Sequence, residues 1–273
     1  TNDGILNFHF SIICFFFRKK HILHLRNTDD SKRNYFSFYF SKKIICISNF
    51  IKKNIPIYFK KKAIVLYNYV DFFNKNIKLQ KKHIKFLNQN KKKFFLFFIS
   101  NIHKRKNPNL FIDIIYRLNK IDNNYIGLMF FQSDIVEFRK LKHLIKTKKI
   151  ENNIYIFRNY PVHYWVKFAE KINKKVLIAP SENEPLGRNI IEAIFKNIYV
   201  FAYNSGGHKE IINKSNGLMF NSCSKNLIKL IIKKFSEIKK KSHENKAKVK
   251  EKFIQKFQNK NYIKTIEKIY SIQ

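Results

Sequence analysis

Val176-Leu177-Ile178-Ala179-Pro180-Ser181-Glu182-Asn183-Glu184-Pro185-Leu186-Gly187-Arg188-Asn189-Ile190-Ile191-Glu192-Ala193 reads as a buried strand, a glycine turn and a helix in succession. A second apolar run, Tyr199-Val200-Phe201-Ala202, leads into Ser205-Gly206-Gly207-His208-Lys209-Glu210. The chain has six glycines, and four of them fall between positions 187 and 217. Glycine so concentrated marks backbone that needs a positive φ or that a ligand must approach closely. Strand, glycine turn and helix together aim free N–H groups and the positive end of a helix dipole at an anion.

Outward from this stretch, strand and helix signals alternate. Phe94 to Ile99 is a continuous apolar run, as in a strand buried on both faces. Pro108 opens a helical pattern in which Leu110, Ile114, Ile115 and Leu118 share one face. Tyr125 to Phe131 is the next expected strand and Asp134 to Lys146 the next helix. Ile154 to Phe157, Val176 to Ala179, Ile198 to Ala202 and Leu218 to Phe220 supply further strands. The predicted class is α/β, a parallel sheet with helices on both faces and ligands at the carboxyl ends of its strands.

Residues 1–80 carry fewer signals. His21 to Leu25, Ile44 to Ile47 and Ala63 to Leu66 read as short strands, with Ser48 to Lys53 as a helix start. This is an incomplete doubly wound unit. Lys75 to Lys93 is polar, with Ile84, Phe86 and Leu87 as its main apolar residues, and residues 81–93 are assigned as the connection. Residues 94–250 form the second unit. From Lys225 the pattern is helical, and in 251–273 Phe253, Phe257, Tyr262, Ile266 and Tyr270 form a seam expected to cross back onto the N-terminal part.

The segment from Pro180 to Ala193, with Glu184 and Glu192 separated by seven residues, resembles the signature of the family 4 retaining glycosyltransferases of GT-B fold. The glycine pair before Glu210-Ile211-Ile212, and then Asn216-Gly217-Leu218, resembles its continuation. Ser100-Asn101-Ile102-His103-Lys104-Arg105-Lys106-Asn107 is similar to a further family motif, and the likeness extends over about residues 94–270. Upstream, Ile44 to Ser48 and Tyr67-Asn68-Tyr69-Val70-Asp71 resemble the last strands of the family's N-terminal domain.

The resemblance implies two Rossmann-like domains, the first incomplete here, and transfer of a sugar from a nucleotide-sugar to a glycan or lipid-linked acceptor. It assigns Glu192 to the ribose hydroxyls, Glu184 to the donor sugar, and Lys106 to the departing diphosphate. Leu186, Gly187, Arg188, Gly206 and Gly207 complete the donor site. No metal and no cofactor is expected. Two carboxylates eight positions apart are roughly 12 Å apart along a helix axis, enough to address opposite ends of one nucleotide-sugar. The chain departs from the family pattern at several positions: Ser100 and Asn101 stand where the family has glycine and arginine, Arg158 where it has glycine, and Asn68-Tyr69 where it has Asn-Gly. His24 and Arg26 are expected on a strand bordering the cleft, while His103, His163 and His208 read as surface or packing residues. Arg188 is either a phosphate ligand at the helix start or an exposed side chain.

The formal charge is +38, and only eight of the 56 Lys and Arg residues are arginine. Lys, Asn, Ile and Phe are abundant while Gly and Pro are scarce, the skew left when A/T-rich codons fill tolerant positions. The alternative is a basic face for anionic membrane or nucleic acid, a lysine-rich binding protein on an inactive GT-B remnant. No specific nucleic-acid partner is expected, and peripheral contact with anionic membrane is. The lysine clusters 60–62, 91–93 and 239–241 fall between elements. Cys14, Cys46 and Cys223 have neither metal nor disulfide spacing, so a reducing, cytoplasmic compartment is expected. The apolar stretch Ile5 to Phe17 is short of a membrane span and lacks the flanks of a signal peptide. The chain opens on Thr1, and the expectation is a fragment or processed product.

Overall fold

A strand covered on both sides needs apolar residues at every position, and Phe94–Ile99 has six in a row. In the computed structural model, which describes residues 5–28, 32–70, 77–133, 135–161, 163–240, 253, 255–257 and 259–271, this segment is β4, central in a six-stranded sheet. Thr1, Asp71, Lys75, Asp134, Lys241 and the 241–250 end of the second expected unit lie outside those residues.

The strands are β1 (His21–Leu25), β2 (Ser41–Cys46), β3 (Ala63–Val65), β4 (Phe94–Ile99), β5 (Tyr125–Phe131), β6 (Ile154–Arg158), β7 (Lys175–Ala179), β8 (Tyr199–Tyr203) and β9 (Gly217–Phe220). The helices are α1 (Ile5–Phe16), α2 (Lys32–Phe40), α3 (Asn49–Asn54), α4 (Lys81–Gln89), α5 (Pro108–Asn119), α6 (Ile135–Thr147), α7 (Tyr164–Glu170), α8 (Arg188–Phe195), α9 (Lys225–Lys240) and α10 (Asn259–Ser271). Both sheets are parallel, with strand orders β1-β2-β3 and β6-β5-β4-β7-β8-β9.

Alternation along β4 builds two cores. Phe94, Leu96 and Phe98 join Phe111 and Ile115 of α5, Leu141 of α6 and Phe235 of α9. Phe95 and Phe97 face the other way, with Trp165 and Phe168 of α7 and Ile190 of α8. The second core continues into the small sheet through Leu23, Ile44 and Ala63, so one apolar interior spans both sheets. All six strands expected after residue 93 are present, with helices on both faces of their sheet.

Four details differ from the sequence reading. The apolar stretch after Ile5 is helix α1, and α2 follows where the sequence suggested no element; each packs on the other and on the small sheet. Along α2, Phe36, Phe38 and Phe40 recur every second residue, a strand-like pattern that packing against α1 overrides. The segment expected to be the connection contains a regular helix, α4, which buries His83 and Leu87 and leaves Ile84 exposed. In the C-terminal seam Ile269 is buried and Tyr270 exposed, because 262, 266 and 269 follow the helical repeat and 270 runs past it. Before that helix, the Val70 N–H donates to the Phe257 carbonyl at 3.1 Å, and Tyr262 rests on Tyr69. Among the described residues no helix is long and apolar enough to cross a membrane.

Candidate active site

The chain enters the large sheet at β4, builds outward through β5 and β6, then returns to the other side of β4 as β7. At that reversal the loops leaving two adjacent parallel strands splay apart and open a crevice at their carboxyl ends. Residues 100–107 leave β4 and residues 180–187 leave β7.

The two loops are laced together. The Glu182 N–H donates to the Arg105 carbonyl at 2.8 Å, Arg105 Nη1 donates to the Asn183 carbonyl at 3.0 Å, and Lys106 Nζ meets Glu184 Oε2 at 2.5 Å. A tight turn at Lys104–Lys106 begins with the His103 ring accepting the Arg105 N–H. It ends at Asn107, whose φ of 49° and side-chain oxygen then cap α5 just ahead of Pro108. Asn189, in the first turn of α8, donates to the Ile99 carbonyl at 2.7 Å and ties that helix to the end of β4.

Gly187 precedes α8 with φ +94°, above the buried His208 ring. Gly206 and Gly207, expected at the donor site, are packed against the loop that carries Glu184. A Cβ on Gly206 would collide with the backbone of Glu184, and one on Gly207 would lie 2.5 Å from the Pro185 carbonyl oxygen. The Gly207 N–H donates to the Glu184 carbonyl at 2.7 Å, so it is occupied by protein rather than open to a diphosphate. The pair is the joint between two loops.

A pocket of about 200 Å³ lies over this joint. On one side are Arg105 and the turn from Glu184 to Arg188; on the other are Arg26 and Asn27, which follow β1, with Asn68 and Val70. Ser48 Oγ donates to the Pro185 carbonyl at 2.5 Å across the junction. Glu210 crosses it too, accepting from the Asn49 and Phe50 N–H groups and from Tyr67 Oη at 2.7–2.9 Å.

Of the residues expected at the site, Glu184, Leu186, Gly187 and Arg188 line the pocket. Lys106 reaches it through Glu184, and Glu192 is linked to it through Arg188 Nε at 3.2 Å. Gly206 and Gly207 sit behind the wall. Arg188 is at once exposed and a pocket residue. Arg26 lines the pocket; His24 is buried and does not. Asn101 is exposed and uncharged, and from this loop it is Arg105, four residues on, that brings a guanidinium to the pocket. Arg105 was missed, though its place in the basic run beside Lys106 is a usable signal. Arg158 points away, donating twice to the Ser133 carbonyl.

Burial raises the Glu192 carboxyl above its ordinary range, with Arg188 opposing. Burial lowers His208, whose Nδ1 lies 2.9 Å from the Tyr203 carbonyl. A carbonyl only accepts, so Nδ1 carries the proton and Nε2 is the free lone pair. Among the described residues no three His, Cys, Asp or Glu side chains cluster as metal ligands would.

Comparison with known proteins agrees with this arrangement. Anabaena HepE in complex with UDP superposes with a TM-score of 0.77 at 17% identity, over 98% of this chain and 76% of that one. A sucrose-phosphate synthase from Thermosynechococcus elongatus gives 0.76 at 15% identity, over 99% and 72%. A glycosyltransferase from Rickettsia africae gives 0.71 at 19% identity, over 97% and 80%. No curated protein sequence is a match. The profile of the glycosyl transferases group 1 matches residues 79–252, well over half the chain. With its parallel sheets and the pocket at their junction, the chain is a GT-B protein and belongs to the group 1 glycosyl transferases.

Proposed function

We propose that the chain is a retaining transferase of family 4, moving a sugar from a nucleotide-sugar donor to a glycan or lipid-linked acceptor. The observation that carries this reading is the meeting of Lys106, Glu184 and the turn before α8 at one pocket, at the reversal of strand order. The Anabaena protein's structures with UDP, with UDP and glucose and with UDP-glucose support a nucleotide-sugar donor here.

In this reading residues 94–250 hold the donor, residues 1–80 form the acceptor side, 81–93 connect them and 251–273 return to the N-terminal part. The diphosphate lies at the start of α8, where the Leu186-Gly187-Arg188 turn supplies the helix dipole and Arg105 and Arg188 supply charge. Glu192, shielded from water and oriented by Arg188, accepts from the ribose hydroxyls. Glu184 accepts from hydroxyls of the donor sugar and holds the Lys106 ammonium beside the bond that breaks. As the sugar–oxygen bond lengthens, negative charge grows on the diphosphate, and Lys106 and Arg105 stabilise it more than they stabilise the ground state. The acceptor enters along Arg26, Asn27 and Asn68. Cys14, Cys46 and Cys223, which form no disulfide, suit a cytoplasmic location.

The direct test is release of nucleoside diphosphate from a panel of nucleotide-sugars, run with Glu184→Gln and Lys106→Ala beside the parent chain. One donor should be turned over, and both variants should be slow with it. Salt-labile binding of every polyanion alike, with neither substitution mattering, would leave only the basic-scaffold alternative.

A further inference from the structure

Only eight of the chain's 56 Lys and Arg residues are arginine. Three of those eight, Arg26, Arg105 and Arg188, line the pocket where the two sheets meet, and no lysine is among its described lining residues. Positive charge alone does not account for that choice, because lysine supplies it almost everywhere else in the chain. A guanidinium differs from an ammonium in being a rigid planar fork that grips two oxygens of one oxyanion. Arg105 and Arg188 stand with Glu184 at the start of α8, on the wall proposed for the donor diphosphate. Arg26 stands on the opposite wall.

Parallel strands present ligands at their carboxyl ends, and all three strands of the small sheet end at this wall. The Ile47 N–H donates to the Leu25 carbonyl at 3.2 Å, and the Leu66 N–H to the Cys46 carbonyl at 2.9 Å, so the ladder holds to the last residue of β1 and of β2. The chain leaves β1 as Arg26-Asn27, β2 as Ile47, and β3 by way of Asn68 and Val70. Those residues give the wall one guanidinium, two carboxamides and two aliphatic side chains. Among its described residues there is neither an aromatic ring nor a carboxylate, in a chain with 29 Phe and 14 Tyr. A face for a neutral sugar needs acceptors for hydroxyl protons and an apolar ring to lie against. A guanidinium only donates, from five N–H bonds, and matches a group whose oxygens only accept.

We propose that the acceptor carries a phosphate group near its reacting hydroxyl, and that Arg26, with Asn27 and Asn68, binds it. Three donor side chains on one wall suit the three outer oxygens of a phosphate better than the two of a carboxylate. The pocket holds about 200 Å³, so an anionic acceptor and a diphosphate lie close enough there to repel. Arg26 neutralises the acceptor's charge as Arg105 and Arg188 neutralise the donor's. Choice between a phosphorylated acceptor and its neutral twin then falls to one side chain. The inference rests on the donor site proposed above, because it takes Arg105 and Arg188 to be engaged by the diphosphate.

The test is calorimetry on the intact chain, saturated with whichever of UDP, GDP and ADP it binds so that the donor's phosphate site is filled. Salt is held at about 0.15 M to screen general attraction to so basic a protein. Probes come in pairs that differ by the phosphate: glucose 6-phosphate beside glucose, and phosphatidylglycerol beside monoacylglycerol in neutral detergent micelles. In at least one pair the phosphate probe should bind about tenfold more tightly than its twin, and the pair that shows it tells a soluble source from a lipid one. Arg26→Gln should erase that preference, and Arg26→Lys, which keeps the charge without the fork, should restore only part of it. Lys61→Gln removes the same charge from an exposed residue outside the pocket lining and should leave the preference unchanged. Arg26 is exposed, and circular dichroism checks that its variants stay folded. Nucleoside diphosphate affinity should move less than about twofold in Arg26→Gln. Three results overturn the proposal while leaving the donor site standing. One is a phosphate probe bound no better than its twin in both pairs. Another is a preference that Arg26→Gln leaves intact. The third is nucleoside diphosphate binding weakened about tenfold by Arg26→Gln, which would put the guanidinium on the donor instead. A parent chain that binds none of the three nucleotides overturns the donor site and this inference together.

Discussion

The Glu210 carboxylate accepts the Phe50 backbone N–H at 2.7 Å, although Glu210 follows β8 of the large sheet and Phe50 begins a helix of the small one. The same carboxylate takes the Asn49 N–H and the Tyr67 hydroxyl. Helix α3 is thus capped by a residue 160 positions away. Glu210→Ala removes all these acceptors together. It should cost about 2–3 kcal/mol, the range for hydrogen bonds to a charged group. Hydrogen exchange at the Asn49 and Phe50 amides checks it directly, and unchanged protection there would show that the cap is dispensable.

Lys106 and Glu184 form a mostly buried ion pair, with 19% and 13% of their side chains exposed. Removing one partner strands the other, so Lys106→Ala and Glu184→Gln should each destabilise by about 2–4 kcal/mol. Lys106→Met combined with Glu184→Gln should recover most of that loss in a urea titration. Turnover should stay at least about a hundredfold down, because leaving-group stabilisation is not restored by packing. Recovery of both together would mean that the pair is purely structural.

Glu192→Gln keeps the shape of the side chain and removes its charge. Nucleoside diphosphate binding should weaken by roughly 1–3 kcal/mol, read by calorimetry at two salt concentrations. The loss should be the same at both, since this carboxyl is shielded from water, whereas loss of Arg188, which is 60% exposed, should fade as salt rises.

Gly206→Ala and Gly207→Ala should each cost about 2–4 kcal/mol, because the added methyl meets backbone rather than a side chain that could turn away. Gly206 also loses a conformation, φ +60°, that alanine adopts poorly. Thermal melts check this. A melting temperature within a degree or so of the parent would mean that the loops part easily.

Acid should loosen the protein well before its carboxylates are neutralised. Burial lowers His21 and His24 to about 4, and lowers His83 and His208 as well. A histidine kept neutral by the fold contributes stability fully present above its unfolded pKa near 6.5. That stability is lost as pH falls from there through the folded value, because the unfolded chain then binds more protons. Glu192, raised by burial, has the opposite slope just above the ordinary carboxylate range. Four groups against one predict that the urea midpoint declines from pH 7 toward pH 4.5, and a flat profile would contradict the burial of these rings.

The large sheet was legible because its strands are short apolar runs with clear ends, and because Pro108 and Gly187 mark helix starts. The order of β4 and β7 followed from nothing in the runs themselves; it comes from right-handed crossovers on either side of the first strand. Of the small sheet's helices, α3 was legible from Ser48 to Lys53, while α1 and α2 were not. In α1 and α2 aromatic residues outnumber helix formers, and only mutual packing selects the helix. At the site, the carboxylates and Lys106 were named through their resemblance to the family's motifs. Glu210 could not be given its role, since a cap on a distant helix leaves no local pattern. Positive φ accounts for Gly187 and Gly206 as suggested, while the close approach at Gly206 and Gly207 is made by another stretch of main chain.

Every glycine among the described residues has a neighbouring atom within 3.1 Å of where a side chain would begin. In a composition so poor in this residue, the five mark places where a side chain would run into a neighbouring part of the chain. Gly206 is the tightest of them, because any residue placed there must first displace the main chain of Glu184 and, with it, the carboxylate that Lys106 holds.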